Sequence, residues 1–224
     1  MFLIEDRVHF FRRDTDAGVF HLGGHQQHPG RCRLRHHPHG DTTLPRKLDG
    51  VAQQVGQNLF VSVVVDDDRP GQAPNAFQTL DKNGRPVLAF NIPLIATVRN
   101  ADELAFVMGH EAAHHIQEHL ARQQVNATAG ALIFGGLAAI TGGGEQIVQT
   151  AQQVGATVGA RGYSKDFELE ADRLGTVISH KAGYDPVRGA AFFTRIPDPG
   201  NTFLGTHPPN ALRINTVRKT AAKL

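Results

Sequence analysis

NADELAFVMGHEAAHHIQEHL, residues 100–120, decides how this chain is read. Asn100 followed by Glu103 is a capping-box pattern, so a helix is expected to start there and run to about Gln124. His110-Glu111-Ala112-Ala113-His114 then lies on that helix. Residues four apart share one helix face, about 40° apart around the axis. Two imidazoles so placed can meet one Zn²⁺ at about 2.0–2.1 Å each. Glu111 is the residue type that takes a proton from a water held by such a metal. The bland alternative, two surface histidines on an amphipathic helix, is weaker because the helix is capped and well patterned.

A second pattern overlaps the first. His115-Ile-Gln-Glu118-His119 reads as H-x-x-E-H. Both pairs cannot face one ion, since His114 and His115 point about 100° apart on a helix. The first pair is favoured because Ala112 and Ala113 leave room between its rings. His115 and His119 are read as the polar, solvent-bound end of the helix.

A catalytic zinc needs a third protein ligand. Cys32 is the only thiol in the chain, and it lies in an atypical head. The better candidate is in Tyr163-Ser-Lys-Asp-Phe-Glu168-Leu-Glu170-Ala-Asp172. Glu168 and Asp172 are one helical turn apart on one face, and Glu170 points away. A carboxylate ligand with a second carboxylate one turn on suits a site where Asp172 orients a liganding imidazole. A solvated acidic face is the alternative.

Around these stretches the chain of 224 residues organises simply. Residues 1–43 form a His- and Arg-rich extension without a sustained period, expected to be poorly ordered. Residues 44–224 have ordinary patterning and are read as one domain. A helix is expected at 45–57 and a strand over Leu59–Val65, ended by Asp66-Asp67-Asp68. Residues 75–79 and 86–90 flank Asp81-Lys82-Asn83-Gly84, a hairpin signal. Helices are expected at 127–140, 145–160 and 166–182. Gly183, Asp185 and Pro186 stop one helix and start the next, and a last helix spans about Pro209–Arg218. Strands followed by helices indicate an α+β fold, mostly helical, with a small sheet ahead of the active helix.

Composition excludes several classes. One cysteine rules out a disulfide scaffold or a Cys-based zinc finger. Near-neutral charge beyond residue 40 argues against a nucleic-acid partner. Seven of the thirteen histidines crowd the first 40 residues, a metal-sequestering signal by number but with irregular spacing. The stretch ATAGALIFGGLAAI, 127–140, is short for a membrane span. It is read as a packed core helix, with membrane association as the alternative. Glu5 and Asp6 interrupt the start, so no secretory signal is recognised.

HEAAH, SKDFELEAD and THPPNALRI, in that order, resemble the HtpX-like and CAAX-prenyl-endopeptidase family of zinc metallopeptidases, of gluzincin type. The soluble, BepA-like bacterial envelope members are the most similar in texture. The resemblance covers about residues 44–220. It implies a zincin-like fold, one Zn²⁺ per chain on His110, His114 and Glu168, and Asp172 behind them. It also implies a place near the metal for His207, as a transition-state stabiliser or reversible fourth ligand. Asn75 and Phe77 match an Asn-Ala-Phe pattern in the strand region, and Arg213 belongs to the third motif. These three are candidate substrate-binding residues, Arg213 also by positioning the loop or a carboxylate. The resemblance further implies polypeptide substrates and a periplasmic or envelope setting. The function expected is a metalloendopeptidase in protein quality control, working by metal-activated water with Glu111 as general base. The alternative is a zinc-holding, chaperone-like module that cleaves little.

Overall fold

The computed structural model describes residues 19–20, 62–66, 73–201 and 205–224. The helix expected at 45–57, Cys32, Asp67 and Asp68 lie outside them, as does the head apart from Val19 and Phe20. The fold is α+β, with a small sheet ahead of a set of helices.

The sheet holds β1 (Val19–Phe20), β2 (Ser62–Asp66), β3 (Ala76–Leu80) and β4 (Pro86–Asn91), in the order β1-β2-β4-β3. β2 and β4 run parallel, with Val63 opposite Leu88 and Val65 opposite Phe90. Val63, Leu88 and Phe90 are fully buried, so this face lies on the core. β3 and β4 form the expected hairpin. The Asp81 carboxylate accepts from the Asn83 and Arg85 backbone at 2.8 and 2.9 Å, and Gly84 takes φ +75°. Of the two hairpin strands, β4 lies between β2 and β3, and β3 is at the edge of the sheet among the described residues.

Asn91 ties the sheet to the helices. Its Oδ1 accepts from Asn75 N at 2.8 Å and from Leu94 N at 2.9 Å. That caps α1 (Ile92–Thr97) and anchors the start of β3. In α2 (Ala101–Ile116) the Asn100 side chain accepts from Glu103 N at 3.0 Å, as the capping box requires. Glu103 reaches one residue further back than expected, to Arg99 N at 2.8 Å, and takes both terminal nitrogens of Arg195 at 2.7 and 2.6 Å. Every residue from Glu103 to Ala113 is buried, so α2 is the central helix of the molecule.

α2 does not run on to Gln124. It ends at Ile116, and Glu118 adopts φ 54°, ψ 35° before α3 (His119–Ile140) begins. No glycine or proline announces this break. The left-handed conformation costs a non-glycine residue about 1–2 kcal/mol, and it turns the chain so that His119, just beyond it, is buried. His119 is therefore not at a solvent-bound end, as expected, but inside the molecule.

α3 and α4 (Glu145–Gly162) form a hairpin. A Cβ on Gly130 would meet Gly155 O at 2.0 Å, so only glycine permits this approach. The rest of α3 is not the packed core helix expected at 127–140. Leu132 is 69% exposed and Ile140 83%. α4 is the main element covering α3, and the glycine face takes that contact, leaving the apolar face outward. Among the described residues, no helix is long and apolar enough to cross a membrane.

α5 (Ser164–Lys181) packs across α2. At the crossing, a Cβ on Gly175 would lie 2.8 Å from His110 N, and one on Gly109 would lie 2.9 Å from Gly175 O. This close approach brings the acidic face of α5 against the histidines of α2. Gly183 (φ +86°) and the Asp185 cap then start α6 (Pro186–Ala190), as the sequence predicts. A 3₁₀ turn (Ala191–Thr194) and α7 (Asn210–Ala221) complete the core.

Candidate metal centre

One helical turn of α2 and one of α5 supply the centre. His110 and His114 turn their Nε2 atoms together, 3.0 Å apart. Glu168 enters from α5, with Oε2 3.5 Å from His110 Nε2 and Oε1 3.2 Å from His114 Nε2. Four-coordinate zinc with bonds of about 2.0–2.1 Å separates its ligand atoms by about 3.3 Å, so these spacings suit a tetrahedral cation. The chemistry of unpaired atoms agrees. Glu168 Oε2 is buried without a hydrogen-bond partner, and so are both ring nitrogens of His207. His207 Nδ1 lies 3.1 Å from that oxygen. Buried polar atoms are normally paired, so these converging atoms form a cradle suited to a cation.

Asp172, with no exposed surface, backs the first histidine: its Oδ1 lies 3.0 Å from His110 Nδ1. Arg213 grips both Asp172 oxygens, Nε to Oδ2 at 2.8 Å and Nη2 to Oδ1 at 2.7 Å, and lies 4.0 Å over the Phe193 ring. It is buried, and its guanidinium faces the carboxylates of the centre. Burial opposes ionisation of Glu168 and Asp172, but the Arg213 charge prevails and holds both below their ordinary range. At His110, burial and Arg213 oppose protonation. The nearby Asp172 and Glu168 carboxylates outweigh them and raise its pKa to about 9. A cation on its Nε2 competes with that proton.

The second histidine has a longer backing that the sequence reading missed. His119 Nδ1 faces His114 Nδ1 at 2.8 Å, and His119 Nε2 faces Glu170 Oε2 at 3.1 Å. Arg122 donates to Glu170 at 2.7 Å. Burial, with the adjacent His114 charge, lowers the His119 pKa to about 4. No spacing rule could reveal this set, because five residues separate His114 from His119 and only the break at Glu118 brings them together. His115 stays partly exposed, outside the cluster.

Glu111 is buried between two hollows and lines both. One, about 280 Å³, is walled by Phe106, Phe192, Phe193, Ile196 and Asn75. Asn75 Oδ1 is buried there without a partner. The other is a long groove between β3, including Phe77, and the α3–α4 hairpin, with His114 and His207 on its floor.

The chain is similar in sequence to known proteins. The model of peptidase family M48 matches residues 38–221. The putative beta-barrel assembly-enhancing protease of Vibrio cholerae serotype O1 is 34% identical over 156 residues, 60% of this chain and 30% of that protein. The beta-barrel assembly-enhancing protease of Escherichia coli O157:H7 is 31% identical over 147 residues, 56% of this chain and 28% of that one. The chain thus aligns with less than a third of the length of these relatives. With a family match over most of its length and a histidine–histidine–glutamate cradle on two crossing helices, the chain belongs to peptidase family M48, a family of metallopeptidases.

Proposed function

We propose that the chain is a zinc-dependent metalloendopeptidase. The observation that supports this best is the convergence of His110, His114 and Glu168 on one point beside the buried Glu111. His110 Nε2, His114 Nε2 and one Glu168 oxygen would hold the ion. Bound there, Zn²⁺ supplies Lewis acidity toward a water and a scissile carbonyl.

The chain's own residues do the rest. The Glu111 carboxylate takes a proton from the attacking water and passes it to the leaving amine. Asp172 holds the His110 Nδ1 proton and so keeps Nε2 turned to the metal. Arg213 keeps Asp172 ionised and in place. His207, at the mouth of the centre, donates to the carbonyl oxygen as charge builds on it, or closes the site as a fourth ligand.

Substrate adds to β3, an edge of the sheet among the described residues, as a further strand running through the groove past Phe77, with Asn75 in the neighbouring hollow. Backbone pairing of this kind carries weak sequence preference, which suits clearance of unfolded chains. The hollow beside Glu111 takes an apolar side chain next to the cut. The names of the relatives point to assembly of beta-barrel proteins, so we assign the chain to envelope protein quality control.

The deciding experiment is Glu111→Gln, assayed for zinc content and casein cleavage. It should keep zinc and lose about 10²–10⁴-fold in rate; full activity would sink the mechanism. The chaperone-like alternative predicts little cleavage by the wild type and release of cleavage in His207→Ala.

A further inference from the structure

We propose that His119, Glu170 and Arg122 form a positioning relay that fixes the His114 ring, so that zinc affinity depends on a histidine that never touches the metal. The proposal rests on His114 as a ligand. His114 and His119 face each other through their Nδ1 atoms at 2.8 Å. Between two neutral rings, one such nitrogen must carry the proton and the other must accept it. A metal-facing Nε2 on His114 carries no proton, so the His114 proton sits on Nδ1 and His119 Nδ1 accepts. That places the His119 proton on Nε2, which meets Glu170 Oε2 at 3.1 Å. Arg122 holds the Glu170 carboxylate through Nη1 at 2.7 Å. Every donor in the chain then has an acceptor, and one tautomer of each ring satisfies all of them.

The first histidine has a shorter version of the same backing. His110 leans on Asp172, Asp172 on Arg213, and Arg213 lies over Phe193. His114 leans on His119, then Glu170, then Arg122, and Arg122 lies 4.4 Å over Phe167. The inserted imidazole spans the extra distance to Glu170, which sits off the Glu168–Asp172 face of α5. The left-handed turn at Glu118 is what swings His119 into that gap. His119 also stacks on Phe167, centroids 4.7 Å apart and 12° between planes, so a purely structural role is the rival explanation.

Two variants of the full chain separate these roles. His119→Phe keeps a stacking ring and loses both nitrogens. His119→Gln loses the ring, but its carbonyl can accept from His114 Nδ1 and its amide can donate to Glu170. Zinc affinity is read by chelator competition, the His114 tautomer by ¹⁵N NMR, and metal-free stability by thermal unfolding. His119→Phe should lose about 10–100-fold in zinc affinity with unchanged metal-free stability and a mixed His114 tautomer. His119→Gln should stay within about threefold of wild type. Wild-type affinity in His119→Phe, or an equal loss in His119→Gln, overturns the relay. If His119→Phe does not fold, Glu170→Leu decides the question: a weaker site is expected, and wild-type affinity overturns the relay. A wild type that binds no zinc fails the ligand reading itself, whereas a zinc-binding wild type indifferent to these changes fails the relay alone.

Discussion

Two helix pairs in this molecule use the same device for different ends. α2 crosses α5 at Gly109 and Gly175, and α3 lies on α4 at Gly130 and Gly155. In both, a missing Cβ lets backbones approach more closely than side chains allow. At the first crossing the gain is a buried polar centre, because Asp172 and Glu168 lie about one and two turns before Gly175, and His110 and His114 follow Gly109. At the second the glycines take the contact with α4, and the larger side chains, Leu132, Ile133, Leu137 and Ile140, are left on the outside. Close approach is the same physical means; what flanks the glycine decides whether it builds a site or exposes a surface.

The comparison is broken most strongly at Asp172. Asp172→Leu removes the two-point partner of the buried Arg213 and leaves it, as an ion pair, only the longer 3.4 Å contact with Glu168, an expected loss of about 3–5 kcal/mol by chemical denaturation. No single change in the hairpin should cost the metal-free core as much.

Gly175→Ala puts a Cβ 2.8–3.0 Å from the Gly109 and His110 backbone. Overpacking of about 1–3 kcal/mol should outweigh the gain of about 1 kcal/mol in helix propensity, and zinc affinity should fall with it. Gly130→Ala clashes harder, yet only with its partner helix. Hydrogen exchange should rise across 119–162 while 103–113 keep their protection. Equal loss of protection in both regions would show that the two pairs are not independent.

Acid sharpens the same contrast. Glu168 and Asp172 have folded-state pKa values below their ordinary 4.5 and 3.8. Their contribution to stability is full above those ordinary values and is lost as pH falls through the lower, folded-state ones. His119, lowered to about 4 from 6.5, adds a loss as pH falls from about 6.5 to 4, because the unfolded chain binds that proton first. His110, raised to about 9, works the other way: its contribution is full below 6.5 and fades as pH rises through 9. Metal-free unfolding followed from pH 7 to 3 should show a falling midpoint, with a smaller fall between pH 6.5 and 4 in His119→Gln.

The smallest effect is expected on the outer face of α3. Leu132→Gln and Ile140→Gln should shift stability by no more than about 0.5 kcal/mol by denaturant titration, since neither side chain is covered.

How legible was this in the sequence? His110 and His114 were, because a four-residue spacing on a capped helix puts them on one face whatever surrounds the helix. Glu168 and Asp172 were legible as one face of another helix, though nothing local says which helix they meet. The hairpin at Asp81–Gly84 and the Gly183–Pro186 junction were legible from turn chemistry alone. The break at Glu118 was not, since Gln117 and Glu118 favour helix and no glycine or proline marks the left-handed turn. His119 was consequently read toward the solvent-bound end of the helix, and Glu170 only as pointing away from the Glu168–Asp172 face. The helix at 127–140 was misjudged for a related reason: apolar content indicates burial only if another element arrives to cover it.

The sequence alone determined the local matters: where α2 is capped, where the hairpin turns, and that two imidazoles with a glutamate between them share one turn. These follow from spacing, capping and turn residues, which act over a few positions. Tertiary structure alone decided that α5 meets α2 glycine to glycine and sets Glu168 opposite both histidines. It alone showed that Arg213 backs Asp172 and that His119 backs His114. Packing decides such matters because a carboxylate is buried only where a cation, a donor or a guanidinium from another part of the chain compensates its desolvation.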